Sequence, residues 1–239
     1  MIVIVPARGG SKGLPGKNLR PLAGRPLIVH TLQSALDCPA VERVIVSTDD
    51  DEIIRVCRSV DGVEVPFRRP AHLATDDAVA SDAYLHVVDC LAVSEGVACT
   101  EICVLLPTSP LRLPSDIDAA IELYRQNGAQ AVVSVTEAKP AEWLHNMAED
   151  GRLQPVVASE SLDNRQDYEP IYLPNGSIYI FDVETLRHAR HYVGPRTFGY
   201  PMPAERSVDI DTEADFLAAE ALLNNRLRDH EDRDLRRAV

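Results

Sequence analysis

Arg8, Lys12, Lys17, Arg20 and Arg25 fall within eighteen residues of one another, and no carboxylate interrupts the chain before Asp37. Gly9, Gly10, Gly13 and Gly16 are threaded between them, directly after the apolar run Ile2–Val5. Without a Cβ, a glycine lets its backbone N–H close on an anion, and a loop leaving a strand for a helix aims several such groups at one point. Arg8, Lys12 and Lys17 add full charges, and a triphosphate matches that site best in size and charge. Two familiar phosphate patterns do not fit. A P-loop needs a glycine five residues before Gly16, where Ser11 stands, and a hydroxyl after Lys17, where Asn18 stands. The dinucleotide pattern G-x-G-x-x-G fails on the glycine spacing. By itself the stretch is equally compatible with a solvated turn.

A second group lies near the other end, in SVDIDTEADF, residues 207–216. In an extended segment Asp209 and Asp211 point to one face. Paired hard oxygens suit Mg²⁺, which takes one or two carboxylates and fills its shell with substrate phosphates and water. Thr212 stands where it can cap a helix beginning at Glu213. Standing alone, such a pair is also what a surface helix N-terminus carries; the phosphate loop is what favours the metal. The runs Asp49–Glu52 and Asp76–Asp77 read as helix-start charge. A third group is LLPTSPLRLPSD, residues 105–116, which leaves a strand at the sheet edge where ligands bind in open α/β folds. Arg112 there reads equally as a substrate contact or as a hydrogen bonder bracing its own loop. No His or Cys is arranged as a nucleophile, and no general base is evident.

The elements that must position these groups alternate. Apolar, β-branched runs at Ile2–Val5, Val44–Ser47, Ile102–Leu106, Ala131–Val135 and Ile178–Phe181 read as strands. Between them lie helical patterns: one entered through Pro26 with Ile28, Leu32 and Leu36, and one capped by Ser81 and carrying Tyr84, Leu85, Val88 and Leu91. A third has Ser115 and Asp118 as a capping box and ends at Gly128. The class is α/β, with a mostly parallel, mixed sheet flanked by helices. From Lys139 the alternation breaks. Residues 139–200 are read as an inserted lid or dimer-contact segment of a single catalytic domain, 1–239. The charged run from Asn225 continues the last helix into solvent.

Composition removes some alternatives. A net charge of −13 argues against a nucleic-acid partner. No run approaches the ~18 apolar residues of a membrane helix, and the N-terminus lacks the features of a signal peptide, so a cytoplasmic protein is expected. Cys38, Cys57, Cys90, Cys99 and Cys103 form no C-x-x-C pair and read as small buried side chains rather than a disulfide framework.

Taken in order, VPARGGSKGLPGKN, STDD, RRPAHLATDD, LLPTSPLR, RQD with LPNGSIYI, and DIDTEADF resemble the acylneuraminate cytidylyltransferase (CMP-sialic acid synthetase) family, from Val3 to about Leu222. The resemblance implies a nucleotidyltransferase-like Rossmann variant. In the implied reaction the 2-hydroxyl of a nonulosonic acid attacks the α-phosphorus of CTP, with Mg²⁺, giving a CMP-sugar and pyrophosphate. It places the triphosphate on Arg8, Gly9, Gly10, Ser11, Lys12 and Lys17, the cytidine on Asn18 and Arg69, and the metal on Asp209 and Asp211. Arg8, Lys12, Lys17 and Asp211 become the catalytic set, with Asp211 the candidate base. Sugar contacts fall on Arg112, Arg165, Gln166, Asn175, Tyr179 and Tyr192. The resemblance also implies a homodimer whose middle segment brings His191 or Tyr192 toward the other subunit's site. Two positions depart from the sialic acid pattern: Leu106, where a glutamine is usual, and Leu173, where a basic residue is usual. The acceptor therefore stays open among sialic acid, a legionaminic-type sugar, another 2-keto acid sugar and a phosphonate. Nucleotidyl transfer to a sugar phosphate and a non-catalytic nucleotide-binding role are the remaining alternatives.

Overall fold

The structure is a computed structural model that describes residues 1–10, 13–157, 169–189 and 193–237, with the backbone alone from 229 onward. Seven strands form one sheet: β1 (Ile2–Pro6), β2 (Arg43–Ser47), β3 (Val63–Glu64), β4 (Glu101–Leu105), β5 (Ala131–Glu137), β6 (Tyr172–Asp182) and β7 (Thr197–Pro201). Their order is β7-β5-β6-β4-β1-β2-β3. β1 runs parallel to β2 and β4, with Ile2 opposite Arg43 and Ile102. β6 is antiparallel to both of its neighbours, and β7 returns parallel to β5. The sheet is thus mixed, as the sequence pattern predicts.

Among the described residues six α-helices complete the layers: α1 (Leu27–Leu36), α2 (Asp51–Arg58), α3 (Ala80–Glu95), α4 (Pro114–Gln126), α5 (Val183–Ala189) and α6 (Glu213–Arg237). Central strands are apolar throughout because successive side chains face opposite layers and both layers are covered. Val3 and Val5 join Ile28, Leu32, Ile53 and Ile121 on one side, while Ile4 joins Val88, Leu91, Val183 and Leu186 on the other. A third cluster sits apart from the sheet. Leu14 of the opening loop, Leu111 of the loop after β4, and Ile210 and Phe216 of the closing segment pack together there. Burying side chains of this size contributes about 1.5–3 kcal/mol each, enough to hold three distant segments in one place.

Several boundaries differ from expectation. α4 starts at Pro114, whose missing N–H and fixed φ suit the first helical position. The box is therefore closed two residues earlier, by Asp116 accepting from the backbone N–H of Leu113 at 2.8 Å, and not by Ser115 with Asp118. Ser81 lies inside the first turn of α3, because Val79 is the last extended residue before it. Thr212 caps as expected, its hydroxyl accepting from the Asp215 N–H at 3.3 Å. Gly128 follows α4 with φ +51°, a conformation glycine adopts without cost. Strand β7 carries a glycine and a closing proline, which hid it from a pattern search. Residues 139–200 are not one insertion: β6, α5 and β7 belong to the main sheet or its cover. Among the described residues of that range, 139–157 stand outside the main sheet and contain a hairpin of His145–Met147 with Leu153–Pro155.

Candidate active site

The opening loop is tied down at both ends. Ala7 still pairs with β2, its N–H donating to Ser47 O at 2.9 Å. The Gly9 N–H donates to Asp49 Oδ1 at 3.0 Å, and a Cβ on Gly9 would stand 2.6 Å from Asp50 Oδ2. Asp50 caps α2 through the N–H groups of Glu52 and Ile53. Asp50 is therefore the helix-start acid expected, while Asp49 holds the loop. Further along, a Cβ on Gly13 would lie 2.6 Å from the Asp211 carbonyl oxygen, so the loop passes directly over the closing segment. Lys17 Nζ donates to Ile210 O at 2.8 Å and to Asp211 Oδ1 at 3.0 Å. Arg20 pairs with Glu213 and lies over the Phe216 ring, 4.1 Å from its centroid. The cationic loop and the aspartate pair, at opposite ends of the chain, form one site.

Asp209 reaches solvent at the site's rim, but its carboxyl group rests on protein. A Cβ added to Gly176 would be 2.8 Å from Asp209 Oδ2, and the Thr108 side chain hydrogen-bonds the carboxylate. Partial loss of water raises the Asp209 pKa; Thr108 opposes the rise, Asp211 reinforces it, and Lys17 opposes it. The Ile210 N–H donates to Thr108 O at 2.8 Å, docking the pair against the loop after β4. Two neighbouring carboxylates, one seated in a glycine-lined cradle and disfavoured as an anion, fit a hard divalent cation. Among the described residues no group of three or more His, Cys, Asp or Glu could hold a metal alone. Further coordination would thus come from substrate phosphates and water, as Mg²⁺ commonly arranges.

Beside this junction lies a cleft of about 360 Å³ walled by Arg8, Lys17, Asn18, Arg69, Tyr84, Leu106 and Thr108. Asn18 is buried, its Nδ2 donating to Arg8 O at 3.2 Å. Arg69 is buried as well, donating through Nε to Ser47 Oγ at 3.0 Å and through Nη2 to Ser47 O at 2.7 Å. Burial lowers its pKa. Arg8 reaches across the mouth to Asp76 at 2.8 Å and to Thr75 O at 3.2 Å. Asp76 is accordingly a cleft residue and not simply helix-start charge.

The sugar-binding candidates fare differently. Arg112, 2% exposed, faces inward: it donates to Ser177 Oγ at 3.0 Å, to Thr31 Oγ1 at 2.9 Å and to the Leu106 carbonyl. It braces the loop and is not a substrate contact, because burial leaves its donors only protein acceptors. Asn175 is also enclosed, with its amide and carbonyl bonded within the protein. Tyr179 is half-buried beside Phe181, the rings stacked at 6.1 Å. Leu106 lines the cleft, whereas Leu173 is exposed. Ser11, Lys12, Arg165, Gln166, His191 and Tyr192 lie outside the described residues. Sequence reading missed Tyr84 and Thr108 as site residues. Tyr84 sits in the apolar pattern of α3, and Thr108 carries no signal apart from its place at the end of β4.

A family model described as cytidylyltransferase matches residues 2–198. An N-acylneuraminate cytidylyltransferase of Streptococcus agalactiae is 36% identical over 219 residues, 90% of this chain and 51% of that protein. The chain thus spans about half the length of such curated relatives. A CMP-N,N'-diacetyllegionaminic acid synthase of Legionella pneumophila is 36% identical over 227 residues, covering 93% of this chain and 96% of that one. The solved structure of a CMP:2-keto-3-deoxy-manno-octonic acid synthetase complexed with CTP shares the fold, with a TM-score of 0.68 at 17% identity over 94% of this chain and 98% of that one.

Proposed function

The chain belongs to the cytidylyltransferase family, and from that premise we propose that it transfers CMP from CTP to the 2-hydroxyl of a nonulosonic, sialic-acid-like sugar, releasing pyrophosphate. The observation that supports the reading is the Lys17–Asp211 contact at 3.0 Å, which joins the cationic loop to the aspartate pair at the side of the cleft that Lys17 lines. Arg8, Lys12 and Lys17, with the N–H groups of Gly10 and Ser11, grip the triphosphate, so that Arg8 exchanges Asp76 for a phosphate oxygen; the Gly9 N–H is already taken by Asp49 and serves to hold the loop. Asn18 and Arg69 hold the cytidine. Asp209 and Asp211 hold Mg²⁺, which when bound supplies positive charge to the phosphoryl oxygens.

The 2-hydroxyl oxygen forms its bond to the α-phosphorus as the bond from that phosphorus to the bridging oxygen breaks, and pyrophosphate departs with the negative charge. Lys17 and Arg8 stabilise the charge that grows on the equatorial and leaving oxygens, a preorganised contribution that single donors make worth roughly 10²–10³ in rate. Asp211, oriented by Lys17, takes the proton of the hydroxyl. Positioning of the two substrates supplies much of the rest.

Leu106 on the cleft wall favours an acceptor that turns an apolar group to it, a legionaminic-type sugar, over one presenting a hydroxyl there. A hydroxyl buried against leucine without a partner costs about 1–3 kcal/mol. Tyr179, Arg165, Gln166 and Tyr192 remain the acceptor contacts. The exposed apolar hairpin after β5 supports a homodimer, and the cytoplasm is the expected compartment.

The test is pyrophosphate release across CTP, UTP, GTP and ATP with a panel of 2-keto acid sugars and a sugar 1-phosphate. CTP with a 2-keto acid sugar and a divalent cation should turn over, with legionaminic-type sugars ahead of N-acetylneuraminate. Preference for another nucleotide or for the sugar phosphate would replace the reading with the wider nucleotidyltransferase one. CTP binding with no turnover on any acceptor would leave a nucleotide-binding protein.

A further inference from the structure

We infer that Asn175 is a positioning residue for Asp209, acting without touching substrate; the inference rests on Asp209 being a cation ligand, as proposed above. Pairing between β6 and β5 breaks between Pro174 and Tyr179. In that break the Asn175 side chain turns inward and replaces ladder bonds. Its Oδ1 accepts from Ser134 Oγ at 2.6 Å and from the Ser177 N–H at 3.2 Å. Its Nδ2 donates to Ser207 Oγ at 2.9 Å, two residues before Asp209. Ser207 Oγ in turn donates to Pro203 O at 2.9 Å, so its lone pair, not its proton, faces the amide. The Asn175 carbonyl accepts from Ser109 Oγ at 3.3 Å, next to the Thr108 that hydrogen-bonds Asp209. One residue, through its side-chain amide and its backbone carbonyl, therefore joins β5, the loop after β4 and the segment that leads into the aspartate pair.

The next residue completes the device. Gly176 has φ +74°, and a Cβ there would be 2.8 Å from Asp209 Oδ2 and 3.4 Å from Ser109 Oγ. Asn175 fixes the height of the closing segment over β6, and Gly176 leaves the space into which the carboxylate settles. Only a side chain with both an acceptor and a donor at this length satisfies Ser134 and Ser207 together. Outer partners of this kind fix the orientation of metal ligands, and their loss weakens metal affinity about 10–100-fold.

The test compares wild type with Asn175→Ala, Ser207→Ala and Asp209→Asn. Mn²⁺ is titrated by paramagnetic resonance onto the enzyme in complex with a non-hydrolysable CTP analogue, alongside the KM for the sugar acceptor. Asn175→Ala and Ser207→Ala should each weaken Mn²⁺ binding about tenfold with acceptor KM unchanged. Ser207→Ala keeps the buried amide in place and carries the test alone if Asn175→Ala does not fold. Unaltered Mn²⁺ affinity in Ser207→Ala overturns the inference, as does a raised acceptor KM in Asn175→Ala with Mn²⁺ affinity intact, which would make Asn175 a sugar contact. If Asp209→Asn itself leaves Mn²⁺ binding unchanged, the metal reading fails and this inference falls with it.

Discussion

The opening loop and the hairpin at His145–Pro155 reverse the usual match between polarity and anchoring. The loop is glycine-rich and cationic, the composition of a solvated turn, yet it is fastened to residues almost two hundred positions away. Lys17 meets Ile210 and Asp211, Arg20 meets Glu213, and Leu14 packs with Ile210 and Phe216. The hairpin segment carries Trp143, Leu144, Met147, Leu153 and Val156, the composition of a core, yet Met147 is 75% and Leu153 67% exposed. None of these side chains joins the three core clusters among the described residues. Loops that bond across the whole chain are held for a ligand they must meet in one geometry. Apolar strands that bond only to each other leave their side chains in water, and exposed apolar groups gathered in one segment are what the proposed homodimer would cover.

The largest effect that could break this contrast is at Lys17. Its ammonium is mostly covered while Asp211 opposite is largely exposed, and such half-open pairs contribute only about 0–1 kcal/mol to stability. Lys17→Ala should therefore lower Tm by no more than about 2–4 °C. Turnover should fall about 10²–10³-fold, since the lost donor faces developing phosphoryl charge. Thermal unfolding and pyrophosphate release on the same preparation decide the matter. A variant whose Tm falls far more than this while its folded form keeps full specific activity would make the loop a structural splice and nothing more.

At the hairpin the expected pattern is the reverse. Met147→Glu with Leu153→Glu alters side chains that are already exposed, so the folded subunit should change by only about 0.5 kcal/mol. Self-association should weaken at least thirtyfold, the equivalent of about 2 kcal/mol at a central contact. Light scattering should show wild type at twice the chain mass of 26.3 kDa and the variant near one. Wild type that stays monomeric at micromolar concentration removes the second half of the comparison.

These two regions also show how far the sequence could be read. The alternation of strands and helices was plain because central strands are apolar on both faces and helices carry a 3.6-residue period. The cationic loop and the Asp209–Asp211 pair stood out because charge and spacing are local properties. What the sequence could not display was the direction a side chain takes once the chain is folded. Arg112 and Arg69 look alike in the sequence and are both buried, but one is fixed away from the cleft and the other forms its wall. Asn175 carries a motif suited to a polar ligand, while the break in β6 turns it inward. Ser115 was displaced as a cap by its neighbour Pro114, a competition between two helix-start signals one residue apart.

The smallest effect tests how firmly the loop's far end is held. His30 on α1 contacts the Leu22 carbonyl at 2.8 Å through Nε2, fixing the turn that follows Arg20. Burial draws its pKa below the ordinary 6.5; the Leu22 carbonyl opposes this and the Arg25 charge adds to it. Between the two values the unfolded chain binds more protons than the folded one, so stability is full above the unfolded pKa of about 6.5 and is lost as pH falls through the folded value. His30→Gln keeps a donor toward Leu22 but cannot titrate. Its Tm should fall less than that of wild type between pH 7 and pH 5, the profiles differing by no more than about 2–4 °C. If wild type and His30→Gln lose Tm in parallel across that range, burial does not hold His30 neutral at the loop's anchor, and the contrast between the regions reduces to composition alone.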